Sequence, residues 1–251
     1  MIADVVDRFQ LAVQHFWDAR RGAAIRQAAS GVSDAGARSQ VTSGLHMDEL
    51  TALTQAIIKD AGCEDRHVHV GSSLELPGYY RPEKKWDVLV LVDNVLVAAI
   101  EFKAQVGPSF GNNANNRAEE AVGVSEDLWT AFREGRLGRH AMPPFVGYVF
   151  ILEDCAKVHS PVRPSEPHFE VDPVFKGASY SQRYEWLLRR LVLERKYQAA
   201  CLTLATNAPS TVLTHPAPDL TFVRFATQLE GHIQTFLRTR SAERSSRNDS
   251  V

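Results

Sequence analysis

Two apolar stretches, residues 86–92 and 96–104, constrain the fold of this chain more than any other feature. Both are rich in valine, leucine and isoleucine, and their length and β-branched content favour strands. Asp93, Asn94 and Val95 separate them, and Asp and Asn are common in tight turns, so the stretches are predicted to pair as an antiparallel hairpin. Strands that are apolar along most of their length are typical of the buried centre of a sheet.

Charged side chains lie at one end of this predicted hairpin. Asp87 opens the first strand, and Glu101 and Lys103 close the second. Burial of charged groups costs several kcal/mol unless something compensates them, and a bound metal ion is a common compensation. This end of the hairpin is therefore the first candidate for a functional site.

The register of the hairpin decides whether these groups meet. A two-residue turn with uniform pairing would set Asp87 opposite Ile100 and send Asp87 and Glu101 to opposite faces. An odd-length loop centred on Asn94, or a compensating β-bulge, would instead set Asp87 opposite Glu101, with Cβ atoms about 5 Å apart. Lys103 shares the face of Glu101 because side chains alternate along a strand.

Two carboxylates on one face suit the binding of Mg²⁺, which prefers oxygen ligands and is held by one or two carboxylates plus substrate phosphate. The predicted protein ligands are the side chains of Asp87 and Glu101 and the backbone carbonyl of Phe102. A helical acid upstream is a further candidate ligand, with Asp48 preferred to Glu49. Such a cluster is suited to phosphodiester hydrolysis, with Asp87 between the metal and the scissile phosphate.

Lys103 and Gln105 complete the predicted catalytic face. Lys103 would orient or deprotonate the attacking water and offset charge on the pentavalent transition state, and Gln105 would position that water. The spacing alone is a weak signal, because acids and lysines are common. The alternative interpretation is a pair of solvated strand ends with an incidental salt bridge.

An asparagine-rich segment follows the second strand. The sequence predicts a loop over residues 107–116 and a helix from about 117 to 135. Asparagine recognises adenine edges and arginine recognises guanine, so this segment is a candidate for DNA recognition, although an Asn-rich turn and helix cap explains it equally well. The candidate base-contacting residues are Asn112, Asn113, Asn115, Asn116 and Arg117. Arg81, Lys84 and Lys85, which precede Asp87, are candidates for contacts with the DNA backbone, although an ordinary aromatic-rich turn explains this segment equally well.

The rest of the chain predicts an α/β fold with a mixed sheet flanked by helices. Residues 1–238 are expected to form one domain, and residues 239–251 a polar, flexible tail. The elements expected beyond the hairpin are helices over 4–20, 47–61, 179–196 and 219–238, strands over 66–70, 145–153 and 199–206, a mobile loop over 28–46 and an ordered loop over 154–178.

Composition narrows the classes of protein. No apolar run reaches the roughly 18 residues that a membrane helix needs, and the N-terminus does not resemble a signal peptide. Cys63, Cys155 and Cys201 are widely spaced, which fits reduced thiols in the cytoplasm. The net charge of −2 is mild evidence against nucleic-acid binding, although a metal-dependent nuclease needs a basic face only locally.

Longer motifs resemble those of the XhoI-type restriction endonucleases, a family of the PD-(D/E)xK superfamily. The matching segments begin at Leu76 (Leu-Pro-Gly-Tyr-Tyr-Arg-Pro), Lys85 (Lys-Trp-Asp-Val-Leu-Val), Val106 (Val-Gly-Pro-Ser-Phe-Gly-Asn-Asn), Asn116 (Asn-Arg-Ala-Glu-Glu-Ala), Pro167 (Pro-His-Phe) and Phe175 (Phe-Lys-Gly-Ala-Ser-Tyr). The resemblance runs from about Phe16 to His232 and maps the family's catalytic pattern onto Asp87, Glu101 and Lys103. Trp86 stands where the superfamily often has proline, a departure outside the catalytic groups.

The resemblance implies a type II enzyme of a restriction–modification system that recognises the palindrome CTCGAG. It implies Mg²⁺-dependent cutting after the first C of each strand, with a 5′ overhang, and a cognate methyltransferase as functional partner. A palindromic site in turn implies a homodimer. The apolar stripe of the last predicted helix is a candidate interface, although such a stripe is more often core.

Three other functions compete with this one. A structure-specific or repair nuclease with the same catalytic fold would cut without requiring CTCGAG. A DNA-binding protein with a vestigial acid pair would bind without cutting. A carboxylate-pair glycosidase is disfavoured, because its chemistry does not require the lysine.

Overall fold

A computed structural model describes residues 4–29, 44–138 and 142–248. Within them, six strands form one mixed sheet, and two short strands form a separate one. The order in the large sheet is β1 (Val68–Val70), β4 (Val88–Val92), β5 (Val95–Gln105), β6 (Phe145–Glu153), β7 (Ala199–Ala205) and β8 (Leu213–Thr214). The neighbours β5, β6 and β7 are parallel, and the other pairs are antiparallel. The small sheet pairs β2 (Glu75–Pro77) with β3 (Glu83–Lys85).

Helices cover both faces of the large sheet. One face packs against α1 (Val5–Ala29), α2 (Asp48–Asp60) and α6 (Phe222–Asn248), and the other against α3 (Phe110–Arg133) and α5 (Tyr180–Leu193). The remaining helix, α4 (Ala156–His159), is a single turn after β6. This layering confirms the predicted α/β class with a mixed sheet between helices.

The central hairpin sorts its side chains between these two layers. Val88, Ile100 and Phe102 lie in the core beneath α1, α2 and α6. Leu89 and Ala99 lie in the core beneath α3 and α5. Alternation along the strands therefore directs the side chains of residues 87, 101 and 103 to the α3/α5 face.

The turn of the hairpin contains two residues, not the odd number that was one of the two expectations. Asp93 and Asn94 have φ values of 49° and 60°, as in the turns that best join twisted antiparallel strands. The register then shifts between Val90 and Leu91, and a β-bulge leaves Val97 without a partner in the ladder. The compensating bulge, the other expectation, is what the structure contains.

The bulge is held from the helical side. His232 on α6 contacts the backbone carbonyl of Val97 through Nε2, at 3.1 Å. Below the bulge, Val88 pairs with Ile100, so that Asp87 lies opposite Glu101. A bulge leaves one residue without ladder partners, and the imidazole supplies a partner that the strand cannot.

Three helix boundaries differ from expectation by more than three residues. The first helix was expected to end at 20 but continues to Ala29. The predicted loop over 107–116 is wrong from Phe110 onward, because α3 begins there and burial of Phe110 outweighs the weak helix propensity of glycine and asparagine. The last helix was expected to end at 238 but continues to Asn248, where Arg240 forms an ion pair with Asp93 in the hairpin turn.

The apolar stripe of α6 is core within one chain. Its buried members are Phe222, Phe225, Leu229, Ile233 and Phe236. The stripe is therefore not the dimer interface for which it was a candidate. Most of the predicted mobile loop, residues 30–43, lies outside the described part of the chain, as do residues 249–251 of the predicted tail.

Candidate active site

Asp87 and Glu101 meet at the open end of the central hairpin. The backbone N–H of Asp87 donates to the Ile100 carbonyl at 3.2 Å, which ties the residue before β4 to β5. The backbone N–H of Phe102 donates to Oδ2 of Asp87 at 2.7 Å. The carboxyl of Asp87 is therefore turned toward β5, beside the carboxyl of Glu101.

The carboxylate of Glu101 is buried and held by two lysines. Its side chain is 3% exposed, and Oε1 lies 2.5 Å from Nζ of Lys103 and 2.9 Å from Nζ of Lys84. Lys103 was predicted to share this face. The contact with Lys84 was missed, because Lys84 lies on the small sheet and the sequence indicated only a contact with the DNA backbone.

The two acids differ in pKa. Burial raises the pKa of Asp87, and the N–H of Phe102 and the charge of Lys103 offset only part of that effect. Burial would also raise the pKa of Glu101, but the ammonium groups of Lys103 and Lys84 outweigh it and lower the pKa below its usual value. Glu101 is therefore ionised at neutral pH, with no other cation needed.

The oxygen atoms at this end of the hairpin fit a divalent cation. Asp87 and Glu101 supply carboxylates, and the Phe102 carbonyl points to the same side of β5 as its N–H, which faces Asp87. Hard oxygen donors of this kind suit Mg²⁺ or a similar ion.

Asp48 is not brought to this pair. It is exposed in the first turn of α2, whose core contacts lie on the opposite face of the sheet. The described part of the chain contains no group of three His, Cys, Asp or Glu side chains arranged to hold a metal. Two carboxylates and a backbone carbonyl are thus the donors that the structure assembles.

Gln105 lies at the end of β5, on the face of Glu101 and Lys103. Its side chain is buried, and Nε2 donates to the Val106 carbonyl at 2.9 Å. This bond holds the carboxamide next to the chain turn that leads into α3.

The asparagines that were predicted to lie in a loop lie on the first two turns of α3. Asn112, Asn115 and Asn116 are exposed, and Asn113 is half-buried. Arg117 forms an ion pair with Glu120, one turn further along the helix. α3 therefore presents a polar, amide-rich surface only a few residues after Gln105.

The turn between β2 and β3 is fixed by an acid that the sequence did not single out. Asp127 on α3 accepts hydrogen bonds from the backbone N–H groups of Tyr79 and Tyr80, at 2.7 and 2.8 Å, and from Nε of Arg81 at 2.8 Å. Arg81, a predicted DNA contact, is thus tied to the protein, whereas Lys85 is exposed. No local pattern marks Asp127, since its partners lie more than forty residues away.

Comparison with known families supplies the classification. Residues 26–214 match the family model described as restriction endonuclease XhoI. The chain belongs to this family. None of the described helices is long and apolar enough to cross a membrane.

Three characterised enzymes are similar to the chain. It is 50% identical over 187 residues to the type II restriction enzyme XhoI of Xanthomonas vasicola, which covers 74% of each chain. It is 42% identical over 214 residues to the type II restriction enzyme BstVI of Geobacillus stearothermophilus, covering 82% of this chain and 95% of that enzyme. For AbrI of Azospirillum brasilense, also a type II restriction enzyme, the identity is 44% over 169 residues, 67% of this chain and 75% of that enzyme. No solved structure matches significantly.

Proposed function

We propose that the protein is a type II restriction endonuclease that cuts both DNA strands at CTCGAG, after the first C, and leaves a 5′ overhang. The observation that carries the proposal is the convergence of Asp87, Glu101 and Lys103 on one face of the hairpin, in a chain of the XhoI family. The similar enzymes support the specificity, and the site chemistry supports the reaction.

The core of the fold is proposed to be that of the PD-(D/E)xK nucleases. The supporting features are the β4–β5 hairpin, with the first acid before β4 and Glu-x-Lys near the end of β5, and the parallel strand β6 beside it. Helices on both faces complete the arrangement.

The proposed metal ion is Mg²⁺, held by Asp87, Glu101 and the Phe102 carbonyl. When bound, it would polarise the scissile phosphate and lower the pKa of a coordinated water. Asp87 would lie between this cation and the phosphate. Burial raises the pKa of Asp87 and the charges of Lys103 and Lys84 offset only part of that effect, so a bound cation would stabilise its ionised form further.

Lys103 and Gln105 act on the attacking water in this proposal. The ammonium of Lys103 lies 2.5 Å from Glu101, which places it beside the proposed metal ion. From there it would orient the water and offset the negative charge that develops on the phosphate. Gln105 would position the same water through its carboxamide oxygen, because its Nε2 is occupied by Val106.

Recognition is proposed to use the start of α3. Asn112, Asn115 and Asn116 are exposed there, and Asn113 and Arg117 lie beside them. The amide groups suit adenine edges, and the guanidinium suits guanine. Arg81 and Lys85 are proposed to contact the DNA backbone.

A palindromic site has two-fold symmetry, so the protein is proposed to act as a homodimer in which each subunit reads one half-site. Cutting of the host's own sites would require protection, so a methyltransferase of the same specificity is the expected functional partner. A cytoplasmic location is also proposed, since the proposed DNA substrate lies in the cytoplasm.

The test is digestion of an unmethylated plasmid with a single CTCGAG site, with Mg²⁺ or with EDTA, followed by sequencing of the ends. We expect one cut after the first C, only with Mg²⁺, and none when the site is methylated. Asp87→Asn should remove cutting, while Glu49→Gln, at an exposed acid of α2, should not.

Other results would contradict the proposal in distinct ways. A smear would indicate a nuclease without this specificity. Binding without cutting, by folded protein, would indicate the non-catalytic alternative. Asn113→Ala or Arg117→Ala should weaken or relax selection among sites that differ by one base pair, and unchanged selectivity in both would remove the start of α3 from the recognition surface.

A further inference from the structure

We propose that Lys84 is an additional catalytic residue, which neutralises Glu101 before DNA binds and then donates to a non-bridging oxygen of the scissile phosphate. The inference rests on the proposed nuclease function and extends it. It adds a second ammonium group, from outside the central hairpin, to the predicted acids and Lys103.

The first observation is how Lys84 is held. Its Nζ lies 2.9 Å from Oε1 of Glu101 and donates to the Lys85 carbonyl at 2.8 Å. The same ammonium lies 4.8 Å from the centre of the Trp86 ring. The side chain is 13% exposed, whereas the next residue, Lys85, is exposed as is usual for lysine.

The second observation is that Lys84 and Lys103 contact the same oxygen of Glu101. One ammonium is enough to compensate one carboxylate, so the second places a positive charge in excess of what Glu101 alone requires. Two ammonium groups so close repel each other, and the arrangement is stable only while the carboxylate lies between them. A metal ion bound to Glu101 would withdraw part of its negative charge. The repulsion between the two ammonium groups would then favour movement of one lysine to another anion.

The third observation is the charge balance. Asp87, Glu101, Lys84 and Lys103 together carry no net charge when all four are ionised. A divalent cation at the acids would bring the site to a net charge of about +2, which matches the roughly two negative charges that a phosphodiester develops as hydroxide adds to it. Without Lys84 the site would fall one charge short.

The fourth observation is the location of Lys84 on β3. This strand pairs with β2 in the small sheet and not with the large sheet, so the ammonium approaches Glu101 from outside the hairpin. Asp127 fixes the turn between β2 and β3, which keeps the backbone of Lys84 in place. The long side chain can then change partner without movement of the fold.

The competing explanation is that Lys84 serves only to compensate Glu101 in the folded protein. Both explanations predict that loss of Lys84 changes the pKa of Glu101. They differ in what happens to metal binding and to the cutting step, because a compensating lysine competes with the metal, whereas a phosphate-binding lysine is needed after the metal has bound.

The experiment compares Lys84→Met with Lys59→Met, at an exposed lysine of α2. Methionine retains an unbranched apolar chain against Trp86 and removes the charge. Lys59→Met removes the same charge from the opposite side of the sheet, away from the proposed site. Mn²⁺ binding is measured by titration without DNA, and cutting is measured in single turnovers at saturating Mg²⁺. Binding of CTCGAG DNA in Ca²⁺ and thermal unfolding are measured for each variant.

For Lys84→Met we expect Mn²⁺ to bind several-fold more tightly, because the competing ammonium is gone, while single-turnover cutting falls roughly 100-fold, as for loss of one charged donor at a transition state. Lys59→Met should leave both quantities within about 3-fold of wild type, the range of a surface charge. Lys84→Arg should restore part of the cutting rate. Lys84→Gln is the second variant if the methionine protein does not fold.

Cutting by Lys84→Met at the wild-type rate, or weaker Mn²⁺ binding, would overturn the proposal. If the wild-type protein bound Mn²⁺ but never cut CTCGAG DNA, the proposed function would fail. In that case tighter Mn²⁺ binding by the variant would still support competition at Glu101, and unchanged binding would refute it.

Discussion

Glu101 and Asp127 are both buried acids on the same side of the sheet, 2% and 4% exposed, but their partners differ in kind. Glu101 is compensated by the ammonium groups of Lys84 and Lys103. Asp127 is compensated by two backbone N–H groups and by Arg81. Lysine side chains can rotate away, whereas backbone N–H groups are fixed by the fold.

In the proposed function, this difference separates a binding site from a structural anchor. A metal ion would replace ammonium groups at Glu101, and a released lysine would contact a phosphate, without any change in the backbone. The partners of Asp127 cannot be exchanged, because its hydrogen bonds define the turn that connects β2 to β3. Gly78 in that turn allows the close approach, since a Cβ there would lie 2.6 Å from Oδ2 of Asp127.

The proposed difference between Glu101 and Asp127 is wrong if Glu101 is not needed for cutting. Glu101→Gln should lower the single-turnover rate by roughly 1,000-fold, since the loss of several kcal/mol of transition-state stabilisation corresponds to that factor. Its melting temperature should change little, because Lys84 and Lys103 can move toward solvent. Asp127→Asn is the matched control, and its rate should stay within about 10-fold of wild type at a temperature where it is folded.

Asp127→Ala should lower the free energy of unfolding by about 3 kcal/mol, because it leaves two N–H groups without their acceptor and Arg81 without its partner. Denaturant titration at neutral pH measures this. Equal stabilities of Asp127→Ala and Glu101→Gln would show that the two acids are not different in kind.

A third buried ionisable group, His232, extends the comparison to pH. Burial lowers the pKa of His232 to about 4, and its bond to the Val97 carbonyl offsets only part of that effect. A group whose pKa is lowered on folding stabilises the protein above its unfolded value of about 6.5 and loses that effect as the pH falls through the folded value. Between these two values, the free energy of unfolding should fall by about 2 to 3 kcal/mol.

His232→Gln should flatten this part of the stability profile, because glutamine is uncharged and can donate to the same carbonyl. The raised pKa of Asp87 acts in the opposite sense, and the lowered pKa of Asp127 acts at more acidic pH, so the difference between wild type and variant isolates His232. Parallel profiles for the two proteins would rule out its contribution.

The smallest expected effect concerns Arg81, whose side chain is 39% exposed. Arg81→Ala should lower stability by less than about 1 kcal/mol, because the guanidinium is partly exposed and Asp127 keeps its two backbone N–H donors. If Arg81 also contacts a phosphate, as the sequence predicts, DNA affinity will fall and its dependence on salt will become shallower by about one ion. An unchanged salt dependence would assign Arg81 to the turn alone.

Much of the fold could be predicted, because apolar periodicity is a local property of the chain. The strand over 145–153 was predicted with both of its ends, and the ends of the elements near 47–61, 179–196 and 199–206 differ from the structure by at most three residues. The start of α3 could not be predicted in the same way, because burial of Phe110 against distant residues decides it.

The site could be predicted only as far as alternation along one strand extends. Glu101, Lys103 and Gln105 share a face whatever the rest of the fold does. The position of Asp87 relative to them depends on the bulge at Val97, and the sequence left an odd-length loop and a bulge as equal alternatives. The chemical roles of these residues stay predictions until the variants are measured.

The sequence by itself determined that Asp87 lies at the start of one strand of the hairpin and that Glu101 and Lys103 lie on the other, because strand formation and side-chain alternation depend on neighbouring residues. Only the tertiary structure decided that Asp87 faces Glu101 and that Lys84 reaches the same carboxylate. Those contacts join segments that lie far apart along the chain, and they depend on a bulge and on the placement of a small sheet. Packing of whole elements against one another sets both, and no local pattern encodes it.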